Sequence, residues 1–205
     1  MLEFRGILGG FNVNVNVSLN YQEIGNSYNV TVHEEGSAYN STVNMKETLT
    51  GGYYYLLSYV NNTLSIDYFS SNYSGVFALY PFYLPYHFKN DSTIQLVIKV
   101  FNQSKVVTEE YTQAEITYEG DNMVVKYVDY NLTAIPIYYV SAYLVYHNGI
   151  LHYVDYNYTT SAEIFEETTL SLSSSDTMPI IPILIVLVLA VAVFIAFKKY
   201  RLKNV

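Results

Sequence analysis

Phe11-Asn12-Val13-Asn14-Val15-Asn16-Val17-Ser18-Leu19 alternates apolar and polar residues without a break. An extended chain sends successive side chains to opposite faces. This stretch therefore reads as a half-buried β-strand with Phe11, Val13, Val15, Val17 and Leu19 toward a core and the asparagines toward solvent. The same signal runs outward from it. Residues 27–32 alternate, Glu34-Glu35-Gly36-Ser37 reads as a turn, and a further strand is expected over 38–46. Gly51-Gly52 opens Tyr53 to Val60, and Asn61-Asn62 turns the chain into Leu64, Ile66 and Tyr68. Val76 to Leu84 is apolar but interrupted by Pro81 and followed by Pro85, which predicts an edge strand or a crossing segment. Ile94, Leu96, Ile98 and Val100 alternate, and residues 105–118 continue as strand. Glu119-Gly120-Asp121-Asn122 turns into Met123 to Tyr130. His147-Asn148-Gly149 joins Val140–Tyr146 to Ile150–Tyr158, and Ile164 to Leu172 gives a last strand. Short strands at this spacing, with no soluble helix between them, predict an all-β domain built as an antiparallel meander, a sandwich or a half-barrel.

The end of the chain obeys different rules. Met178 to Phe197 carries no charge and no polar face. About 20 helical residues span about 30 Å, the depth of a bilayer's hydrocarbon core. Pro179 and Pro182 fall in its first turn or so, where a missing N–H costs least. Lys198, Lys199, Arg201 and Lys203 follow at once as a stop-transfer cluster, which predicts a cytoplasmic C-terminus. The expected layout is an outer β domain over 1–170, which a division near 86–92 could split into halves of about 1–88 and 89–170. A linker over 171–177, a transmembrane helix over 178–197 and a basic tail over 198–205 follow. Met1 to Gly10 lacks the apolar run of a signal peptide, so the expectation is a start further upstream or a leader left out of this chain. A tail-anchored protein of opposite orientation would leave the basic cluster outside.

All eighteen acidic residues precede the apolar run, with six basic ones, for a formal charge of −12. That excludes a nucleic-acid partner, which needs a basic surface. The absence of cysteine removes disulfides, thiolate metal sites and cysteine nucleophiles. Nine Asn-x-Ser/Thr sequons occur, at Asn16, Asn29, Asn40, Asn61, Asn72, Asn90, Asn102, Asn131 and Asn157. Roughly three would be expected by chance, so the excess favours an N-glycosylated exterior protein.

From Leu79-Tyr80-Pro81-Phe82-Tyr83-Leu84-Pro85 to the strand Gly149-Ile150-Leu151-His152-Tyr153-Val154-Asp155-Tyr156, residues 76–172 resemble a pattern of archaeal cell-surface proteins of unknown function. The anchor and the Tyr, Asn, Ser and Thr bias are similar to surface proteins of thermoacidophilic archaea. The resemblance implies a surface β-meander and names no activity.

Residues that could carry chemistry are few. His147 and His152 flank one turn, while His33 and His87 are distant in sequence; a metal would want three or four converging ligands, and none is expected. Glu34-Glu35, Glu109-Glu110 and Glu166-Glu167 are strand neighbours that point to opposite faces, so no pair forms a dyad. Glu115, Glu119 and Asp121 could meet at a hairpin end, as solvated turn carboxylates. Asp129 and Asp155 lack the Asp-Thr-Gly context of acid proteases, and no activated serine, phosphate loop or dinucleotide fingerprint is present. The 24 tyrosines, dense at Tyr53-Tyr54-Tyr55, Tyr80-Pro81-Phe82-Tyr83 and Tyr138-Tyr139, read as β-formers with a wet hydroxyl or as an aromatic contact face. No cofactor and no catalytic residue is assigned. The expectation is a single-pass, cell-surface structural, adhesion or binding module meeting the lipid bilayer and an envelope protein or glycan. A surface acid hydrolase and a lipid or solute carrier with an apolar half-barrel cavity are the alternatives.

Overall fold

A computed structural model describes residues 1–8, 10–70, 81–102, 105–131, 138–160 and 165–173. The expected membrane span 178–197, its stop-transfer cluster and Asn72 lie outside the described residues. No helix occurs among the described residues, and none there is long and apolar enough to cross a membrane.

Eleven strands form: β1 (Leu2–Leu8), β2 (Phe11–Ile24), β3 (Ser27–Asn40), β4 (Met45–Val60), β5 (Thr63–Ser70), β6 (Ser92–Asn102), β7 (Lys105–Glu119), β8 (Asn122–Asn131), β9 (Tyr138–His147), β10 (Ile150–Thr160) and β11 (Phe165–Leu172). Each pairs with its chain neighbour, and β1 pairs with β11, which closes the sheet into a barrel. Closure replaces the open half-barrel or sandwich that strand spacing left possible. It also forces a departure from an antiparallel meander. An odd number of strands cannot alternate direction all the way round a ring, so one adjacent pair must run parallel. That pair is β5 with β6, Leu64 beside Leu96 and Ile66 beside Ile98. The strands on either side of residues 86–92 thus belong to one barrel.

The expected alternation sets inside from outside. Val13, Val15 and Val17 are buried while Asn12, Asn14 and Ser18 are exposed. Val30 and Val32 on β3, Leu57 on β4 and Ile94, Leu96 and Ile98 on β6 complete the same interior layer. The interior is apolar, while the outer wall mixes polar residues with exposed apolar ones such as Leu56, Val106 and Val128. Asn61 (φ 51°) with Asn62 (φ 63°), and Asn148 (φ 50°) with Gly149 (φ 77°), make the two-residue left-handed turns their sequence asks for.

Two local readings change. Glu34 to Ser37 is not a turn: β3 runs straight through it, pairing Glu34 with Val17 and Gly36 with Val15. Gly36 is needed there, because a Cβ would run into the backbone of Asn14 and Val15. The chain turns instead after Asn40, whose side-chain Oδ1 accepts from the Thr42 and Val43 N–H groups. The second change is at β10, where register shifts between Leu151 and Tyr153. His152 is the extra residue of a bulge, so Leu151 joins Val154 and Tyr156 in the core. His152 does not share their face, as strict alternation with Ile150 and Val154 would have it.

A parallel pair needs a long crossover. Here the stretch Pro81–Leu84 lies inside the barrel: Phe82 and Leu84 are buried, and Phe82 meets Phe4 edge to face at 5.2 Å. This is the crossing alternative for the Pro-containing segment, not the edge strand. From Phe82 O to the Leu84 N–H every backbone group has a partner. The Leu84 N–H donates to Gly149 O (2.7 Å), and the Leu151 N–H donates to Phe82 O (2.9 Å). The Tyr83 N–H donates to the Tyr55 hydroxyl (3.0 Å), which itself donates to Tyr83 O (3.4 Å). The Tyr146 hydroxyl donates to Pro81 O (2.8 Å).

Tyr55→Phe keeps the ring and strands both Tyr83 groups. It is expected to lower unfolding stability by about 1–3 kcal/mol in denaturant titration. Tyr54→Phe, on the exposed side of the same strand, is expected to stay within about 0.5 kcal/mol of the parent.

Candidate functional site: a tyrosine-lined cleft

Strand direction sorts the barrel's two mouths. At one gather the tight turns after β2, β4, β7 and β9, the start of β6, and the ends of the crossing segment and of β11. A cleft of about 410 Å³ opens there, walled by Tyr28, Tyr83, Tyr86, Tyr118 and Tyr146. His87, Asp121 and Asn148 supply the polar side chains of its rim. The volume suits a small ligand or one side chain of a larger one.

The rings are fixed before anything binds. The Tyr86 hydroxyl lies 3.2 Å from both Asn26 O and Leu57 O, and that of Tyr118 donates to Phe88 O (3.2 Å). With Tyr146 held on Pro81 O, three of the five hydroxyls are committed to backbone carbonyls. Tyr28 stands nearly perpendicular to Tyr83 (74°, 6.0 Å) and to Tyr86 (82°, 5.5 Å). Tyr83 stacks on Tyr21 at 4.1 Å. Burial, the neighbouring tyrosines and the charge of Glu23 push Tyr83 and Tyr86 up to about 12, so both stay phenols.

Of the residues singled out in the sequence, His147 and His152 do meet, with ring centres 5.5 Å apart. The Nδ1 of His147 lies 3.1 Å from Asn122 Oδ1, and burial beside His147 lowers the pKa of His152. They gather no third ligand: among the described residues no group of three or more His, Asp or Glu is placed to hold a metal. His33 sits apart, 3.2 Å from Glu35 on the outer wall. Glu115, Glu119 and Asp121 are all exposed on one hairpin, and of the three Asp121 alone lines the cleft. The run Tyr53-Tyr54-Tyr55 divides as a strand must: Tyr55 is buried and Tyr54 faces out. Tyr54, Phe69 and Phe101 stack across β4, β5 and β6 at 4.8 Å, with planes within 8° and 11°. Their faces meet one another, so this ladder is no flat platform.

Sequence reasoning missed two inward carboxylates. Glu34 follows Val30 and Val32 on the buried face of β3, and its Oε1 has no hydrogen-bond partner. Burial raises it to about 7, against a smaller downward pull from Tyr53 and His33. Glu110 on β7 is raised by burial and by the charge of Asp129. The signal was present: in Glu34-Glu35 and Glu109-Glu110 one member must share the core face. The other member faces out, Glu35 to His33 and Glu109 to Lys99 at 2.8 Å.

The sequons differ in access. Asn61 lies exposed in the β4–β5 turn and Asn90 is exposed before β6. Asn16, Asn29 and Asn157 are half-buried on the outer wall. The Asn157 amide donates to Asp155 (3.0 Å) and the Asn40 amide to Gly10 O (3.2 Å).

Comparison of the chain with protein-family models, with characterised proteins and with solved structures finds no match.

Glu34 makes stability depend on pH with a defined sign. Below its ordinary value of 4.5 the carboxyl is neutral folded or unfolded; between 4.5 and about 7 the folded state keeps a proton that the unfolded chain has released. Stability therefore falls as pH rises through that window and levels off above it, by up to about 3 kcal/mol. Denaturation midpoints of Glu34→Gln against the parent, from pH 4 to 8, are expected to diverge in favour of the variant as pH rises. Parallel curves would remove Glu34 as the cause.

Proposed function

We propose that this chain is an exported binding module, held at a cell membrane by residues 178–197, with the tyrosine cleft as its binding site. The observation that carries the reading is the cleft itself: immobilised aromatic walls and a polar rim on the mouth of a closed barrel. A carrier would need a roomy apolar lumen. The apolar space between Leu64, Ile66, Leu84 and Leu144 is about 10 Å³, no larger than one water. A glycosidase-type or acid-protease-type hydrolase would need two carboxylates across its cleft, and among the described residues Asp121 is the one carboxylate in the lining. Export and anchoring rest on the uncharged run, the basic cluster after it and the excess of sequons.

The chain has no cysteine, so His87→Cys places a unique thiol at the exposed rim. A membrane-impermeant maleimide is expected to label it on intact cells, and alkaline washing is expected to leave the protein in the membrane. Labelling that requires lysis, or release by the wash, overturns the exported and anchored reading.

Among the described side chains, glycan is expected first at Asn61 and Asn90, the exposed sequons outside the barrel wall. Glycopeptide mass spectrometry on protein from its native host checks the order; occupancy at Asn157 or Asn40 with Asn61 bare would contradict it.

A further inference from the structure

We propose that the tyrosine cleft takes an organic cation, such as a quaternary or alkylated ammonium group. The inference rests on the binding-module reading and names the ligand's chemistry. Three features of the cleft point to it. Its walls are tyrosine rings whose π faces attract cations, most strongly where water is excluded. The hydroxyls of Tyr86, Tyr118 and Tyr146 are tied to backbone carbonyls, so they are poorly placed to donate to a hydroxylated ligand. Among the described residues Asp121 is the one acid in the lining, and no lysine or arginine lines the cleft with it.

The surroundings carry the same sign. Glu23 lies near enough to Tyr83 and Tyr86 for its charge to disfavour their phenolates. Glu119 and Asp91 stand on neighbouring segments of this mouth, with Lys89 on the crossing segment beside them. A negative mouth on a chain whose residues 1–177 carry eighteen acids and six bases raises the local concentration of cations and repels anions. A neutral sugar would gain nothing from that field and would look for donors that these tyrosines no longer offer.

The test uses the full chain in a polyoxyethylene detergent, which brings neither charge nor sugar. Tyrosine-ring NMR shifts follow titration with choline, with tetramethylammonium, with 3,3-dimethylbutan-1-ol (the neutral shape of choline) and with glucose, at constant ionic strength. Both cations are expected to shift the same few rings and to saturate, with the neutral alcohol at least about tenfold weaker. Asp121→Lys, on an exposed turn, is expected to weaken choline about tenfold or more, and Asp121→Asn about fivefold. Equal binding of choline and its neutral isostere, indifference to Asp121→Lys, or no saturable shift with either cation overturns the proposal. Shifts produced by glucose in place of choline also overturn it, yet they leave the binding-module reading standing. Failure of export and anchoring is read separately, in the maleimide labelling of intact cells.

Discussion

A peptide segment that leaves the sheet and enters an apolar interior takes its N–H and C=O groups with it, and each must find a partner there. The rest of this barrel depends on how the Pro81–Leu84 stretch meets that demand. Prolines at 81 and 85 remove two donors outright. The β9–β10 hairpin lends Gly149 O and the Leu151 N–H as a fragment of sheet inside the sheet. Tyrosine hydroxyls reach in for others, Tyr55 to both groups of Tyr83 and Tyr146 to Pro81 O. Phenylalanine would pack as well and leave those groups bare. The abundance of tyrosine thus has an interior cause as well as a surface one.

Closure and insertion are two sides of one constraint. Eleven strands enclose more volume than side chains alone readily fill. The odd count also requires a parallel pair, and a parallel pair requires a connection that travels the length of the barrel. Routing the end of that connection through the lumen satisfies both needs at once. It also builds the cleft: residues 83–87 emerge at the mouth where the β7–β8 and β9–β10 turns converge, so Tyr83, Tyr86 and His87 meet Asp121, Asn148 and Gly149. Gly149 is part of the fit, since a Cβ there would press on Leu84 and Pro85 backbone at 3.3 Å as well as strain its left-handed φ.

Local pattern made most of the wall legible, because a two-residue period with Asn-Asn and Asn-Gly turns is written directly in the chain. The Pro-broken apolar segment could be read as crossing but not as internal; nothing local marks a segment that hydrogen-bonds to tyrosines far away in sequence. β1 is not legible as a strand because its apolar positions, Leu2, Phe4 and Leu8, are interrupted by Gly6, where a Cβ would meet the backbone of Thr169 and Leu170. That glycine is a signature of close strand approach, visible only once β11 is placed beside it. Glu34-Glu35-Gly36-Ser37 misled for the same reason, a polar composition on a strand whose glycine serves contact with β2. The cleft was illegible for a different reason: its tyrosines come from β3, β7, β9 and the crossing segment, and no spacing in the sequence joins them.

The buried carboxylates give the barrel a preferred medium. Glu34 and Glu110 face inward, where ionisation is opposed by desolvation and, for Glu110, by Asp129. Outside, Glu3 and Glu109 are held ionised by Arg5 and Lys99, but both are exposed pairs, where solvent leaves little to gain. The larger, buried effect therefore sets the sign, and it favours mild acid. The global charge acts in the same direction. Eighteen carboxylates against six bases repel one another when ionised, and protonating some of them relieves the repulsion. A barrel whose interior acids and surface excess both relax on protonation is more stable in a mildly acidic medium than in a neutral one. Tyr55, whose phenol is pushed up by burial, holds both Tyr83 backbone groups equally well at either pH.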